Sequence, residues 1–214
     1  MKKYGFPIIL CILAFVITLI FFDQLPDKVP KHWNISGDID AYGDKYSIFM
    51  IPLMMAGMNA MFIALPRIDP RRHNYQKFQK SYVSFMNVIT AFMFLMLMMT
   101  IYASFNPNQI DISMVMTIAT GILISYFGNI MPKFRWNYFV GIRCPWTLSN
   151  EQVWFLTHRF GGKLWMVAGF LIMLGAFLPS ETSFYYLMTI VLTIAFVPMI
   201  YAYIKFKQLQ GERK

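Results

Sequence analysis

Long uncharged runs of apolar residues divide the chain, and short charged segments separate them. Six runs carry no charged residue and approach or exceed the ~20 residues that a helix needs to cross a bilayer. They cover residues 4–22, 46–66, 81–110, 112–132, 164–180 and 182–204. Each run is apolar throughout rather than alternating, which indicates helices and not barrel strands. The pattern therefore predicts an all-α integral membrane bundle of six transmembrane helices.

The first and third runs need separate interpretation. The run 4–22 follows two lysines, as the apolar region of a signal peptide does, but it is longer than such a region and no small-residue cleavage site follows it. We interpret it as a retained helix. The run 81–110 is longer than a span requires, so we expect a helix over about 82–105 and a turn at 106–108.

Composition strengthens the membrane interpretation. Hydrophobic residues make up 57% of the 214 residues and charged residues 14%, against roughly 45–50% and 25% in soluble domains. The net charge of +9 would suit a nucleic-acid partner if the basic residues lined one face. Here they lie between apolar runs. Direct nucleic-acid binding, a disordered chain and a disulfide-rich secreted module are therefore excluded.

The distribution of basic residues predicts the orientation. Of the 19 lysines and arginines, 16 lie in the two tails and in segments 66–80 and 132–163, and only 3 lie in segment 23–45. Basic residues accumulate on the cytoplasmic side of membrane proteins. We therefore predict a multi-pass protein of the cell membrane with both termini cytoplasmic, a mildly acidic outer face and a strongly basic inner face.

The predicted outer loop covers residues 23–45. It is longer than a connection between two spans needs, which favours an ordered binding loop. A solvated connector with Trp33 and Tyr42 at the membrane interface is the alternative. Its histidine and aspartates lack the spacing of a defensible metal-binding loop, so no metal site is predicted. The candidate ligand-binding residues of this loop are His32, Trp33, Gly37 and Asp40.

The predicted inner loop covers residues 132–163. Ser149 and Gln152 form a capping-box pattern, which predicts a short interfacial helix near 150–160 that Gly161 and Gly162 would close. One interpretation of the loop is an interfacial segment that binds anionic lipid head groups. The other is a polar ligand-binding pocket beneath the bundle. The candidate residues of that pocket are Asn137, Arg143, Thr147, Trp154, His158 and Arg159.

Both loops resemble those of the SdpI-type immunity proteins of Gram-positive bacteria. The outer loop contains LPDKVPKHWNISGDIDAYGDK and the inner loop contains NYFVGIRCPWTLSNEQVWFLTHRFGGK, and each is similar to a signature of that family. The resemblance covers the whole chain in order, with Cys144 where the family usually has threonine. It implies an N-terminal two-helix module at 1–66 and a four-helix module at 67–214.

The resemblance also implies a function, which is protection against a secreted toxic peptide that attacks the membrane. In the namesake system the same protein holds a cytoplasmic transcriptional repressor at the membrane, so the bilayer, a toxic peptide and a repressor are the implied partners. The alternatives are a membrane enzyme with a polar site in the inner loop and a membrane scaffold of other role. No phosphate-cradling, nucleophile-elbow or zinc-protease motif occurs in the sequence, and no cofactor is expected.

Overall fold

The computed structural model describes residues 2–34, 37–107, 109 and 111–211. Asn108 of the predicted turn at 106–108 lies outside these residues. Helices dominate the described chain, and short 3-10 turns join several of them. The elements are α1 (Gly5–Phe22), β1 (Lys28–Trp33), β2 (Ile39–Asp44), α2 (Met50–Ile68), α3 (Gln79–Phe105), α4 (Ile112–Ile130), α5 (Pro145–Ser149), α6 (Glu151–Gly175) and α7 (Ser180–Gly211).

Several helices present apolar surface outward. Leu19 on α1 is 61% exposed and Leu53 on α2 is 59% exposed, and Phe196 on α7 is similarly open. Exposed apolar surface on this scale is unfavourable in water but matches the hydrocarbon of a bilayer. The predicted multi-pass membrane bundle is confirmed in this outline. Five described stretches are long and apolar enough to cross a membrane: Gly5–Phe22, Lys45–Ile68, Arg72–Phe105, Ile112–Lys133 and Glu181–Gly211.

The helices pack as two groups. The first group is α1, α2 and α3, and the second is α4, α6 and α7. Met55 of α2 and Leu97 of α3 are completely buried in the core of the first group. A second core lies at the N-terminal ends of α3 and α6 and joins both groups, because it contains Tyr82 of α3 and Trp154 of α6. The module boundary that we expect at residue 66 stays a prediction.

Glycines set the close approach of α4 and α6. A Cβ atom added to Gly162 on α6 would lie 2.7 Å from the carbonyl oxygen of Gly128 on α4. Two turns away on α4, a Cβ atom on Gly121 would lie 2.6 Å from the carbonyl oxygen of Gly169 on α6. Small residues allow helix backbones in a membrane to approach this closely, and the gain is van der Waals contact. The pair α4–α6 is therefore the tightest helix contact of the second group.

The predicted short interfacial helix near 150–160 is wrong as a separate element. The helix α6 begins at Glu151 and continues to Gly175 without a break. Gly162 does not close it, because that glycine supplies the close contact with α4 instead. The cap also differs from the predicted capping box, since the side chain of Asn150 accepts hydrogen bonds from the amides of Gln152 and Val153.

The all-α prediction is corrected in the outer loop, which forms an antiparallel β-hairpin. Lys28 lies opposite Asp44 at its base, and Trp33 lies opposite Ile39 toward its tip. Val29 is buried in the core of the first helix group, so the base of the hairpin is fixed on the helices. The hairpin thereby holds the candidate outer-loop residues at a defined place above the bundle.

Candidate functional site

A cavity of about 490 Å³ lies between the β-hairpin and the N-terminal ends of α4 and α7. Three of the four outer-loop candidates, His32, Trp33 and Asp40, line it. The wall opposite them combines hydroxyl groups with apolar side chains, so the cavity offers both polar and apolar contacts. The other lining residues are Asn34, Ser113, Thr117, Ser183, Phe184 and Leu187.

His32 and Asp40 are paired by a hydrogen bond across the two strands. The Nδ1 atom of His32 lies 2.7 Å from Oδ1 of Asp40, and the two side chains are 67% and 42% exposed. Exposed pairs of this kind contribute little to folding stability, about 0–1 kcal/mol. The pair is therefore accessible to a ligand at small cost to the fold, and a carboxylate beside an imidazole can receive a cationic or hydrogen-bond-donating group.

Gly37, the fourth candidate, positions the tip of the hairpin rather than lining the cavity. Its φ of +86° lies in the left-handed region, which favours glycine. A Cβ atom at this position would lie 3.1 Å from the Cβ atom of Ser113 at the start of α4. Asp111 caps that start by accepting a hydrogen bond from the amide of Met114. Glycine thus allows the hairpin to rest against α4.

In the inner loop, Asn137 organises the chain around itself. It is buried, and its Oδ1 accepts hydrogen bonds from the amides of Phe139 and Val140. Its Nδ2 donates to the carbonyl oxygens of Arg135 and Val140. The side-chain amide therefore replaces regular backbone bonding in an irregular, buried turn.

His158 is buried and joins α6 to the same loop. Its Nε2 accepts a hydrogen bond of 3.0 Å from the amide of Ile142, so Nδ1 carries the proton and donates to the carbonyl oxygen of Trp154 at 2.8 Å. The imidazole stacks on the Trp154 ring at 3.9 Å. Burial lowers the pKa of His158 to about 4, because the charged form would lose its hydration. The histidine is neutral at pH 7 with both nitrogens engaged.

Thr147 and Trp154 also spend their polar atoms on the loop backbone. The Thr147 hydroxyl accepts from the amide of Cys144 at 3.0 Å and donates to the carbonyl oxygen of Ile142 at 2.9 Å. The indole of Trp154 donates to the carbonyl oxygen of Phe134. Cys144, which departs from the family pattern, is itself buried against Thr147. Its thiol is therefore part of the packed interior of the inner loop.

The two arginines among the inner-loop candidates are exposed. Arg143 donates one hydrogen bond, of 3.2 Å, to the carbonyl oxygen of Tyr138, and Arg159 points outward from α6. The structure therefore brings Asn137, Thr147, Trp154 and His158 together as a buried set. It leaves the two cationic groups at the surface. Binding of a ligand by any of the six stays a prediction.

Sequence reasoning missed Asp69 and Arg71, which hold the inner loop from the α2–α3 connection. Buried Asp69 accepts hydrogen bonds from the Tyr138 amide and the Tyr75 hydroxyl, each of 3.0 Å. The Arg71 guanidinium lies 3.3 Å from the centre of the Trp136 ring and 4.3 Å from that of Tyr138. A single acid in an otherwise basic segment was the available signal for Asp69.

The missed cavity residues come from α4 and α7. Ser113 and Thr117 are four residues apart on α4, and Ser183 and Leu187 are four apart on α7, so each pair shares a helix face. Among the described residues, no group of three or more His, Cys, Asp or Glu is placed to hold a metal ion. The chemistry of the outer cavity is therefore that of one histidine–aspartate pair, several hydroxyl groups and aromatic surface.

These features define a class of protein: a helical multi-pass membrane protein with a β-hairpin between α1 and α2 and a folded loop between α4 and α6. Residues 133–202 match the SdpI/YfhL protein family, and residues 9–56 match a domain of unknown function, DUF1648. The chain is 27% identical over 213 residues, covering 100% of both proteins, to Immunity protein SdpI of Bacillus subtilis (strain 168). The resemblance predicted from the two loops is confirmed. No solved structure is significantly similar to the chain.

Proposed function

We propose that the chain is a membrane immunity protein that protects its cell against a secreted toxic peptide. The observation that carries this proposal is the full-length similarity to Immunity protein SdpI, together with the SdpI/YfhL match at 133–202. The outer cavity supports it, because an accessible polar and aromatic site beside the hairpin suits a peptide that arrives from outside.

The proposed topology has six spans with both termini cytoplasmic. The span beyond the five apolar stretches lies in α6. The first half of this helix carries Glu151, His158, Arg159 and Lys163, and its apolar part begins at Leu164. The uncharged run 164–180 that contains this part has 17 residues, which is at the lower limit of a crossing. That apolar part packs between α4 and α7. In this topology the hairpin faces outward and the folded loop faces the cytoplasm.

The outer cavity is the proposed site of peptide capture. The loop 23–45 contains five aspartates against three lysines, so it attracts a cationic peptide weakly. Asp40 supplies a carboxylate at the cavity, and Trp33 and Phe184 supply aromatic surface. Aromatic side chains favour the membrane interface, where an amphipathic peptide also partitions. Charge and apolar contact therefore act at the same place.

The inner loop has a different proposed role, which is to hold the inner ends of the two helix groups together. The polar atoms of Asn137, Thr147 and His158 bond to loop backbone, which leaves them poorly suited to act on a substrate. This argues against a membrane enzyme at these residues. The basic inner face supports a second proposal, that an acidic surface of a cytoplasmic repressor docks there.

Growth protection tests the immunity proposal. The chain is expressed in a peptide-sensitive bacterium, which is challenged with membrane-active peptides, including any encoded beside the gene of this chain. We expect survival with wild type and loss of survival with Asp40→Asn at equal membrane abundance, while Asp23→Asn, an exposed outer acid away from the cavity, protects normally. Absence of protection against every peptide would contradict the proposal.

Reporter fusions test the topology separately. A reporter after Lys214 should report the cytoplasm, and one inserted at the hairpin beside Asp40 should report the outside. A fusion after Pro179, between α6 and α7, decides the span in α6, because it should report the outside only if α6 crosses the bilayer. An external signal from the C-terminus would contradict the six-span topology without bearing on peptide protection.

A further inference from the structure

A second cavity, of about 520 Å³, lies between the two helix groups. Met61 and Leu65 of α2 and Phe85 of α3 form one side, and Phe127 of α4 and Met199 of α7 form the other. Its volume lies in the range of ordinary ligand sites, about 300–1,000 Å³. The cavity is therefore large enough to hold part of a small amphiphile.

The chemistry of this cavity is apolar with a single charge. Of the described residues that line it, only Arg143 is charged. The polar atom of lining Trp165 is already engaged, because its indole donates to the carbonyl oxygen of Ile194. Arg143 spends one donor on the Tyr138 carbonyl oxygen, and a guanidinium has five N–H donors. The cavity thus complements an apolar chain that ends in an anionic group.

The position of the cavity places it in the inner half of the membrane. Leu65 lies in the last turn of α2, Phe85 near the start of α3 and Met131 directly after α4. All three are the cytoplasmic ends of these helices in the proposed topology. Arg143 belongs to the inner loop and therefore lies at the level where the phosphates of the inner leaflet are found.

We infer that this cavity binds one acyl chain of an anionic phospholipid from the inner leaflet, with its phosphate bound by Arg143. The inference rests on the proposed orientation but not on immunity, so each can fail without the other. Basic sites between membrane helices on the cytoplasmic side suit anionic head groups. A guanidinium binds phosphate through paired, charge-assisted hydrogen bonds.

Location favours a lipid over the toxic peptide as the occupant. A secreted peptide reaches the outer face first, whereas this cavity is bounded by inner helix ends. Inner-leaflet lipid is present at the cavity continuously and at high local concentration. A peptide would bring backbone N–H and C=O groups that the apolar walls could not hydrogen-bond, whereas an acyl chain has no such groups. The bound lipid would fill the gap between the two helix groups.

Native mass spectrometry of the purified full chain tests the inference, with equimolar dioleoylphosphatidylglycerol and dioleoylphosphatidylcholine as probes. We expect wild type to retain phosphatidylglycerol preferentially. Arg143→Gln should weaken that binding about tenfold, the loss expected for a charge-assisted hydrogen bond. Arg135→Gln, an exposed arginine of the same loop that does not line the cavity, should bind as wild type does.

A second variant tests the cavity itself. Ala195 lines it on α7, so Ala195→Phe should reduce retention of both lipids, and a melting measurement checks that the variant is folded. Excess inorganic phosphate should not displace the lipid, since the acyl chain supplies part of the affinity. Equal retention of the two lipids by wild type, or unchanged phosphatidylglycerol binding by Arg143→Gln, would overturn the inference.

Discussion

The two loops of this chain use polar residues in opposite ways. In the outer hairpin, His32 and Asp40 pair with each other in the open and line a cavity. In the inner loop, Asn137 and His158 are buried and bond to backbone groups that would otherwise lack partners. Polar atoms that are already satisfied hold a fold, whereas accessible ones can meet a ligand. Similar residue types therefore occupy different structural settings in the two loops, exposed in one and buried in the other.

The contrast also separates stability from activity. Loss of a buried partner leaves an unsatisfied group and costs about 1–3 kcal/mol, whereas loss of an exposed ion pair costs about 0–1 kcal/mol. Inner-loop changes should thus lower the amount of folded protein. Outer-cavity changes should lower protection at normal abundance. The following predictions, from the largest expected effect on stability to the smallest, test this separation.

Gly141→Ala should have the largest effect. Gly141 has a φ of +118°, in the region that favours glycine, and an added Cβ atom would collide with the imidazole of His158. Backbone strain and overpacking together should cost about 4 kcal/mol. Membrane abundance and the melting temperature in detergent should both fall strongly. Gly57→Ala is the control, because nothing lies within 4 Å of its added Cβ atom; equal abundance of both variants would contradict the prediction.

Asp69→Asn should destabilise the inner loop by about 2 kcal/mol. The carboxylate accepts bonds from the amides of Arg71 and Tyr138 and from the Tyr75 hydroxyl. Both carboxylate oxygens are acceptors here, so the NH₂ group of an asparagine would face at least one N–H or O–H group and lose that hydrogen bond. The melting temperature checks the prediction, with Glu151→Gln as an exposed control on the same side. A variant as stable as wild type would show that Asp69 does not hold the loop.

Acid should weaken the fold through His158. Its pKa is about 4 in the folded chain and ~6.5 when unfolded, so the unfolded state binds more protons between these values. The contribution of neutral His158 to the free energy of unfolding is complete above pH ~6.5 and is lost as the pH falls toward 4. At pH 5 the loss is up to about 2 kcal/mol. Melting at pH 7.5 and 5 should show the loss. His158→Gln should reduce this dependence, and an unchanged dependence would assign it to another group.

His32→Ala should have the smallest effect on stability, about 1 kcal/mol or less, because its partner Asp40 remains exposed to water. Growth protection should nevertheless fall, since the variant removes a side chain that lines the outer cavity. Lys28→Ala, at the base of the same hairpin, is the matched control and should protect normally. A variant that melts far below wild type would show that the hairpin depends on the pair.

The sequence predicted the spans well where charges mark their ends. The run 4–22 became Gly5–Phe22, and the run 112–132 became Ile112–Ile130. The predicted helix end at Gly161 and Gly162 was wrong, because a glycine pair after an amphipathic stretch can either end a helix or permit close packing against another helix. The glycines of α6 pack against α4, and this contact between distant parts of the chain cannot be predicted from the local sequence.

The outer cavity shows the same limit. The candidates His32, Trp33 and Asp40 were predictable, because polar and aromatic residues stand out in a loop between apolar runs. Ser113 and Thr117 were not, because a lipid-facing helix is apolar on most sides and its periodicity does not identify the face that packs. Which helix ends meet the hairpin depends on tertiary contacts, such as the contact of Gly37 with Ser113.

Peptide binding to the purified protein tests the central claim, that the outer cavity captures the ligand, most directly. The probe is the peptide against which the chain protects cells, measured with wild type, Asp40→Asn and the control Asp23→Asn at low and high salt. We expect Asp40→Asn to bind about fivefold more weakly at low salt. The difference should shrink near 1 M salt, where the screening length falls to ~3 Å. Equal affinity of all three proteins at every salt concentration would contradict the account.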